Sequence, residues 1–381
     1  MKYLLTISTL LIALSANISG QSKLRVFGHL TQGFAISDEH QIFGIPTSGS
    51  SDYRNLALQF RYDIDPKNNL IVQIAHKRLG KHPAQSEADD VELDWGFFEH
   101  HFSPEIFLKF GKVQMPLGIY NELRDVSVLL PFYRAPSSVY SESRASGEYV
   151  NGIVFGYSTK LGKGWRFRSD VFAGQWSWLE WLLTAPILSN ELSVKLETVD
   201  IEKAFGCQAW LMTPIDGLRF GFSGYFGDTE NGLSELLSGI KAPSLTSYLF
   251  SVEGDFDRFL VRAEDNIISV VNSPFYMNSY YVQSGVNIWS NFVLNAQYEV
   301  VDFKDFIVTY DLGIVPLGKK ISRKIHEDFG VGLNYTFSSN IVIKLEVHST
   351  NGFFVEDQFT TPYLPDALRT RYAILSLATS F

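Results

Sequence analysis

The chain has 381 residues, 45% of them apolar and 14% aromatic, and a formal charge of −9. Beyond the N-terminus no eighteen consecutive residues are apolar, which excludes spanning helices, and the lone Cys207 excludes an internal disulfide or a cysteine metal cluster. The acidic balance gives no electrostatic footing for nucleic acid, and no motif calls for a cofactor.

Residues 1–20 read as a secretory signal peptide. Lys2 supplies the charge, Leu4 to Ala16 the apolar core and Ser19-Gly20 a small-residue exit. An uncleaved anchor is the competing reading, but the core falls short of the ~20 residues a spanning helix needs. Removing the segment takes one Lys and no acid, so the charge becomes −10.

From 21 to 381 the chain alternates strand, short turn, strand, long loop. Seven tight turns are legible: at Asp65-Pro66-Lys67-Asn68, Ser103-Pro104, Leu161 to Gly164, Thr213 to Gly217, Asp255 to Arg258, Ser290-Asn291 and Ser338-Ser339-Asn340. Gly, Pro, Asn and Asp dominate them because turns need preset or positive φ. Eight longer stretches lie near 37–51, 79–90, 114–148, 175–202, 228–244, 272–279, 304–325 and 351–367. Fifteen connections join sixteen strands, an even number that leaves both termini on the periplasmic side. The expected fold is a single all-β domain: a sixteen-stranded antiparallel transmembrane barrel with short periplasmic turns, long extracellular loops and one inward-folded pore loop.

The strands carry period two. Leu56, Leu58, Phe60, Tyr62 and Ile64 face one way, and Asn55, Ala57, Gln59, Arg61 and Asp63 the other. The terminal strand sets Ala373, Leu375, Leu377 and Phe381 on one parity, broken by Thr379, and ends on the aromatic. The face opposite the greasy one is charged on strand after strand, and no second apolar sheet remains to cover the greasy one. The expected surroundings are outer-membrane lipid and lipopolysaccharide, with aromatics at the two interfaces.

Residues 114–148 form the candidate pore loop. Pro116, Pro131 and Pro136 stiffen it, and it holds Asn121, Glu122, Arg124, Asp125 and Arg134. An inward constriction is expected over a plain rim loop. Arg124 stands either as a charge at the constriction or as a residue paired with Asp125 or Glu122 that holds the loop in shape.

The stretch Gly111-Lys112-Val113-Gln114-Met115-Pro116-Leu117-Gly118-Ile119-Tyr120-Asn121-Glu122-Leu123-Arg124-Asp125-Val126, continuing to Pro131 and Ser137-Ser138-Val139-Tyr140, resembles the pore-loop motif of a proteobacterial outer-membrane porin superfamily. That superfamily includes the phosphate-selective and dicarboxylate-type porins. The resemblance implies a homotrimeric channel whose pore loop carries Asn121, Glu122, Arg124 and Asp125. Two departures stand out. The lysine-rich lumen of the phosphate-selective members is not evident, and the first strand begins near Lys23 with no coiled coil before it.

The lumen wall is expected to hold Arg61, Lys77, Lys109, Arg166, Arg168, Arg219, Arg262 and Lys344, with Glu92, Asp94, Asp170, Glu253, Glu264, Glu299, Asp328 and Glu346. Most of these charges can pair across strands. Arg166 and Arg168 are like charges on adjacent inward positions, so they need acids from elsewhere or a passing anion. His100 and His101 are adjacent on a strand and point to opposite faces. Cys207 shares the apolar parity of Phe205, Ala209 and Leu211. The run Trp176-Ser177-Trp178-Leu179-Glu180-Trp181 is expected in an outer loop.

The expected function is passive diffusion of small hydrophilic solutes, anions among them. Two readings compete: an outer-membrane barrel enzyme acting on lipid, for which no nucleophile stands out, and a structural or adhesive barrel with a plugged lumen.

Overall fold

The computed structural model describes residues 23–82, 91–141, 147–184, 193–230, 244–272, 274, 276–307, 320–352, 354–355, 358–359 and 368–381. The expected signal peptide, and Arg144 of the pore loop, lie outside them.

Sixteen strands form one closed antiparallel barrel. The first five are β1 (Leu24–Ser37), β2 (Ser50–Asp65), β3 (Asn68–Leu79), β4 (Glu92–Ser103) and β5 (Ile106–Gln114). After the long loop come β6 (Tyr149–Gly162), β7 (Trp165–Thr184), β8 (Ser193–Met212), β9 (Leu218–Glu230) and β10 (Ser244–Asp255). The wall continues through β11 (Phe259–Val270), β12 (Tyr276–Trp289), β13 (Phe292–Ile307), β14 (Lys320–Ser338) and β15 (Ile341–Gly352) to the terminal strand, Leu368–Ser380. That strand pairs with β1 from His29↔Ser380 to Ser37↔Tyr372 and closes the ring. Phe381 exchanges backbone hydrogen bonds with Gly28 at 3.0 and 3.1 Å. A Cβ at Gly28 would sit 2.5 Å from the Phe381 ring, so the residue must be small there.

Period-two burial follows the expected register. Along β15 it alternates without a break, Val342, Lys344, Glu346 and His348 buried and Ile343, Leu345 and Val347 exposed. The exposed side is greasy around the barrel, which is stable only against hydrocarbon. Tyr62, Phe102, Trp165, Phe256, Trp289, Phe337 and Phe381 stand exposed near the periplasmic ends, as an interface girdle requires.

Two expectations need correction. Residues 175–184 and 193–202 are strand, not loop: β7 runs to Thr184 and β8 starts at Ser193, paired from Thr184↔Ser193 downward past a bulge at Gly174/Trp176. Trp176 and Trp178 keep the inward parity and are buried, so these rings extend the wall. The lumen is also not polar throughout. Trp95, Phe97, Val113, Val150, Val154, Phe172 and Trp210 point inward and join one buried cluster with Met115, Leu117, Ile119 and Tyr120 of the pore loop. The loop's own apolar side chains supply the cover that no second sheet provides.

Candidate pore constriction

The loop after β5 enters the barrel and meets the wall on several sides. Gly118 turns it inward with φ +61, a conformation that suits glycine. A Cβ there would lie 2.1 Å from the Tyr140 hydroxyl. The Gly118 N–H donates to Ser223 Oγ at 2.9 Å, and Gln208 donates to its carbonyl at 2.8 Å.

Wall carboxylates and one lysine then hold the loop. Glu264 of β11 accepts the Ile119 N–H at 2.9 Å, the Tyr281 hydroxyl at 2.7 Å and the Tyr140 hydroxyl. Glu299 of β13 accepts the Ser138 N–H and the Ser137 hydroxyl, both at 2.9 Å. Glu346 of β15 accepts the Tyr133 N–H at 2.7 Å. Lys344 Nζ, fully buried, donates to the carbonyls of Leu130 at 2.6 Å, Phe132 at 2.8 Å and Ser127. Buried charges persist only when paired or saturated with hydrogen bonds. Here the loop backbone supplies much of that saturation. Burial pushes the Tyr120 and Tyr140 phenols up, so both stay protonated as donors.

The five residues singled out from the sequence all lie in this segment. Asn121 is buried and donates to the carbonyls of Met115 at 3.0 Å and Gly147 at 2.8 Å, which ties the loop's two ends together. The Glu122 carbonyl accepts from Gln114 at 2.8 Å. Arg124 is 6% exposed and reaches Glu148 at 3.1 Å and the carbonyls of Tyr140 and Ser141 at 3.0 and 3.2 Å. Glu148, twenty-four residues on, is thus an ionic partner of Arg124. Asp125 bonds Lys77 of β3 at 3.2 Å and Asn55 of β2 at 3.1 Å. Arg134 stacks over the Phe43 ring, its guanidinium carbon 4.7 Å from the centroid. Arg124, Asp125, Arg134, Lys77 and Asn55 surround a gap of about 20 Å³, room for roughly one water.

Sequence reasoning missed a second inward element. The connection between β1 and β2 folds into the mouth, burying Ile42, Phe43 and Ile45 against Tyr53, Leu79, Tyr133 and Tyr372. The run Ile42-Phe43-Gly44-Ile45 in an otherwise polar loop was the available signal.

On the periplasmic side of the loop a cavity of about 250 Å³ opens between Leu129 to Pro131 and a wall that includes Arg258, Arg262, Asn287 and Asn295. Apart from Lys77, which meets Asp125 near the outer end of β3, the expected basic wall residues lie in this half. Register places Arg166 opposite Met212, Met212 opposite Arg219, Arg219 opposite Glu253 and Glu253 opposite Arg262. Three arginines therefore share one row, about 10 Å between neighbours on alternate strands. Glu253 accepts from Arg262 at 2.7 Å and from Arg219, which stacks on Trp210. Arg168 pairs with Asp170 at 2.9 Å and Arg61 with Asp63 at 3.0 Å. Lys109 lies 5.2 Å from the Phe97 ring centroid. Arg166 is exposed and makes no ion pair among the described residues. The acids Asp94, Asp125 and Glu148 also converge closely enough to hold a cation, but Lys77 and Arg124 already face them.

No family model matches the chain, and no curated protein does. Solved structures match over almost the whole length. Salmonella typhi OmpF in complex with daunomycin aligns with TM-score 0.58 at 10% identity, over 94% of this chain and 98% of that one. An anion-selective porin from Comamonas acidovorans gives 0.57 at 9% identity, over 95% and 100%. The trimer form of OmpT, an outer-membrane protein of Vibrio cholerae, gives 0.55 at 12% identity, over 94% and 99%. Identities this low carry the fold alone. The fold is that of the outer-membrane barrels of Gram-negative bacteria, and the chain is an outer-membrane protein.

Proposed function

We propose that this barrel is a porin that passes small hydrophilic solutes by diffusion, with anions favoured over cations. The observation that carries the reading is the inward loop set above a wall row of Arg166, Arg219 and Arg262. Arg219 and Arg262 share one carboxylate, Glu253, so the row of three arginines keeps positive charge beneath the loop. Arg166 is the cation in it that makes no ion pair among the described residues. In a confined lumen such charge is screened less by salt than on an open surface.

Residues 114–148 are the constriction, with Arg124 and Asn121 shaping the segment and Asp125 and Arg134 beside the gap. The chain works without a cofactor and is no enzyme. It assembles as a homotrimer among outer-membrane lipid and lipopolysaccharide. The motif resemblance supports the porin reading and does not single out one solute. Residues 1–20 direct export and are removed.

A plugged barrel is the second reading, favoured by the water-sized gap beside Arg124. Recording purified protein in a planar bilayer under a salt gradient separates the two. Discrete conductance steps with a reversal potential on the anion side are expected, and Arg166→Glu moves that potential toward cations. Absence of steps from correctly folded protein establishes the plugged reading instead. A reversal potential unchanged in Arg166→Glu removes the arginine row from the selectivity argument.

A further inference from the structure

The membrane face of β6–β10 is not a smooth greasy wall. Across it runs an open apolar trough of about 680 Å³. Its floor is made by Ala173, Cys207 and Gly224, small residues on the outward parity of three adjacent strands, with Cys207 directly opposite Gly224. Its walls are Phe205, Phe226 and Tyr248. Phe205 and Phe226 sit opposite each other on β8 and β9 with centroids 5.7 Å apart, and Tyr248 stands opposite Gly224 on β10. A Cβ at Gly224 would fall 2.4 Å from the Ser247 carbonyl oxygen, so the close approach of β9 and β10 demands this glycine and leaves the floor bare.

Depth identifies the occupant. Cys207 lies five residues above Met212, where β8 ends at its periplasmic turn. At ~3.4 Å per residue and a tilt near 40° that is about 13 Å up the barrel, the middle of an apolar band ~25 Å tall. At this depth there are neither headgroups nor water. The trough crosses five strands at ~4.8 Å spacing, and its tilt gives it a vertical extent of about 12 Å.

We propose that the trough is a binding site for one acyl chain of an outer-membrane lipid, held in place while the chains around it exchange freely. A chain lying against the strands fills the concavity between the aromatic walls, where a neighbouring chain standing upright leaves a void. The bare floor and aromatic rim supply shape and dispersion contact rather than any polar grip.

The test uses whole refolded protein, delipidated in detergent, titrated with dipalmitoyl phosphatidylethanolamine and read by native mass spectrometry. Wild type is expected to retain one lipid per chain. Cys207→Trp fills the floor and is expected to weaken that retention at least about tenfold. Val347→Trp, on the exposed face of β15, is expected to leave it unchanged. Heat-modifiable gel mobility confirms that each variant is folded. Equal retention by wild type and Cys207→Trp overturns the proposal. So does a wild type with no retained lipid whose oligomers dissociate in Cys207→Trp, since the trough is then a contact between copies of the chain.

Discussion

Replacing Lys344 with Met removes a cation that grips the far half of the pore loop. Its ammonium donates to the carbonyls of Ser127, Leu130 and Phe132, and no wall group on β15 other than Glu346 reaches the same stretch in the described bonds. Each hydrogen bond to a charged group contributes ~1.5–3 kcal/mol. The three together are offset by the several kcal/mol needed to keep an ammonium out of water. A net loss of about 3 kcal/mol for the seated loop follows, which is a ~100-fold change in the ratio of seated to released states. Methionine keeps the length of the side chain, so the barrel wall is little disturbed. Single-channel recording of Lys344→Met is expected to show larger or more frequent openings than wild type, with more noise as the segment 127–133 moves. Gel mobility shows whether the barrel has folded. A folded Lys344→Met variant with the conductance and noise of wild type refutes the view that this lysine holds the loop.

The lipid-facing register predicts that Leu58→Arg destabilises the barrel, by up to the ~2–4 kcal/mol a midplane charge costs, while Gln59→Arg, one residue on and facing the lumen, costs far less; urea unfolding from lipid vesicles measures both, and equal costs contradict the register. Deleting Phe381 removes both the ring that packs over Gly28 and a pair of backbone hydrogen bonds at the closing seam. A lower folded fraction in refolding assays is expected, and an unchanged fraction counts against a role for the terminal aromatic in closure.

Strand number and register were legible because lipid and lumen impose opposite chemistry on alternate residues. That signal fails where the surroundings change. At Trp176 and Trp178 the period persists, but here the large apolar rings fall on the inward parity with Gln175 and Ser177 outward, so β7 reads as loop. Inside, the pore loop was recognisable by motif and proline content, yet its partners were not. Arg124 could have paired with either neighbouring acid, and only the fold brings Glu148 back beside it across twenty-four residues. The anchors Glu264, Glu299, Lys344 and Glu346 looked like ordinary lumen charges, because nothing local marks a charged side chain as the hydrogen-bond partner of a backbone more than a hundred residues away.

The position of those anchors along the chain has a kinetic side. Glu264 and Glu299 belong to β11 and β13, whereas Lys344 and Glu346 belong to β15, the last strand but one. Contacts of such long sequence separation form late, after the loops between them have been closed. A barrel paired only as far as β14 therefore tethers Ile119 and Ser138, and Pro131 through Asn334, but lacks the bonds of Lys344 and Glu346 to Ser127, Leu130, Phe132 and Tyr133. The arrival of one hairpin, Ile341 to Ser380, then does two things together. It joins the last edge of the sheet to the first, and it fastens the obstruction within. The closed wall and the full set of loop anchors are thus completed together, in a single closing event.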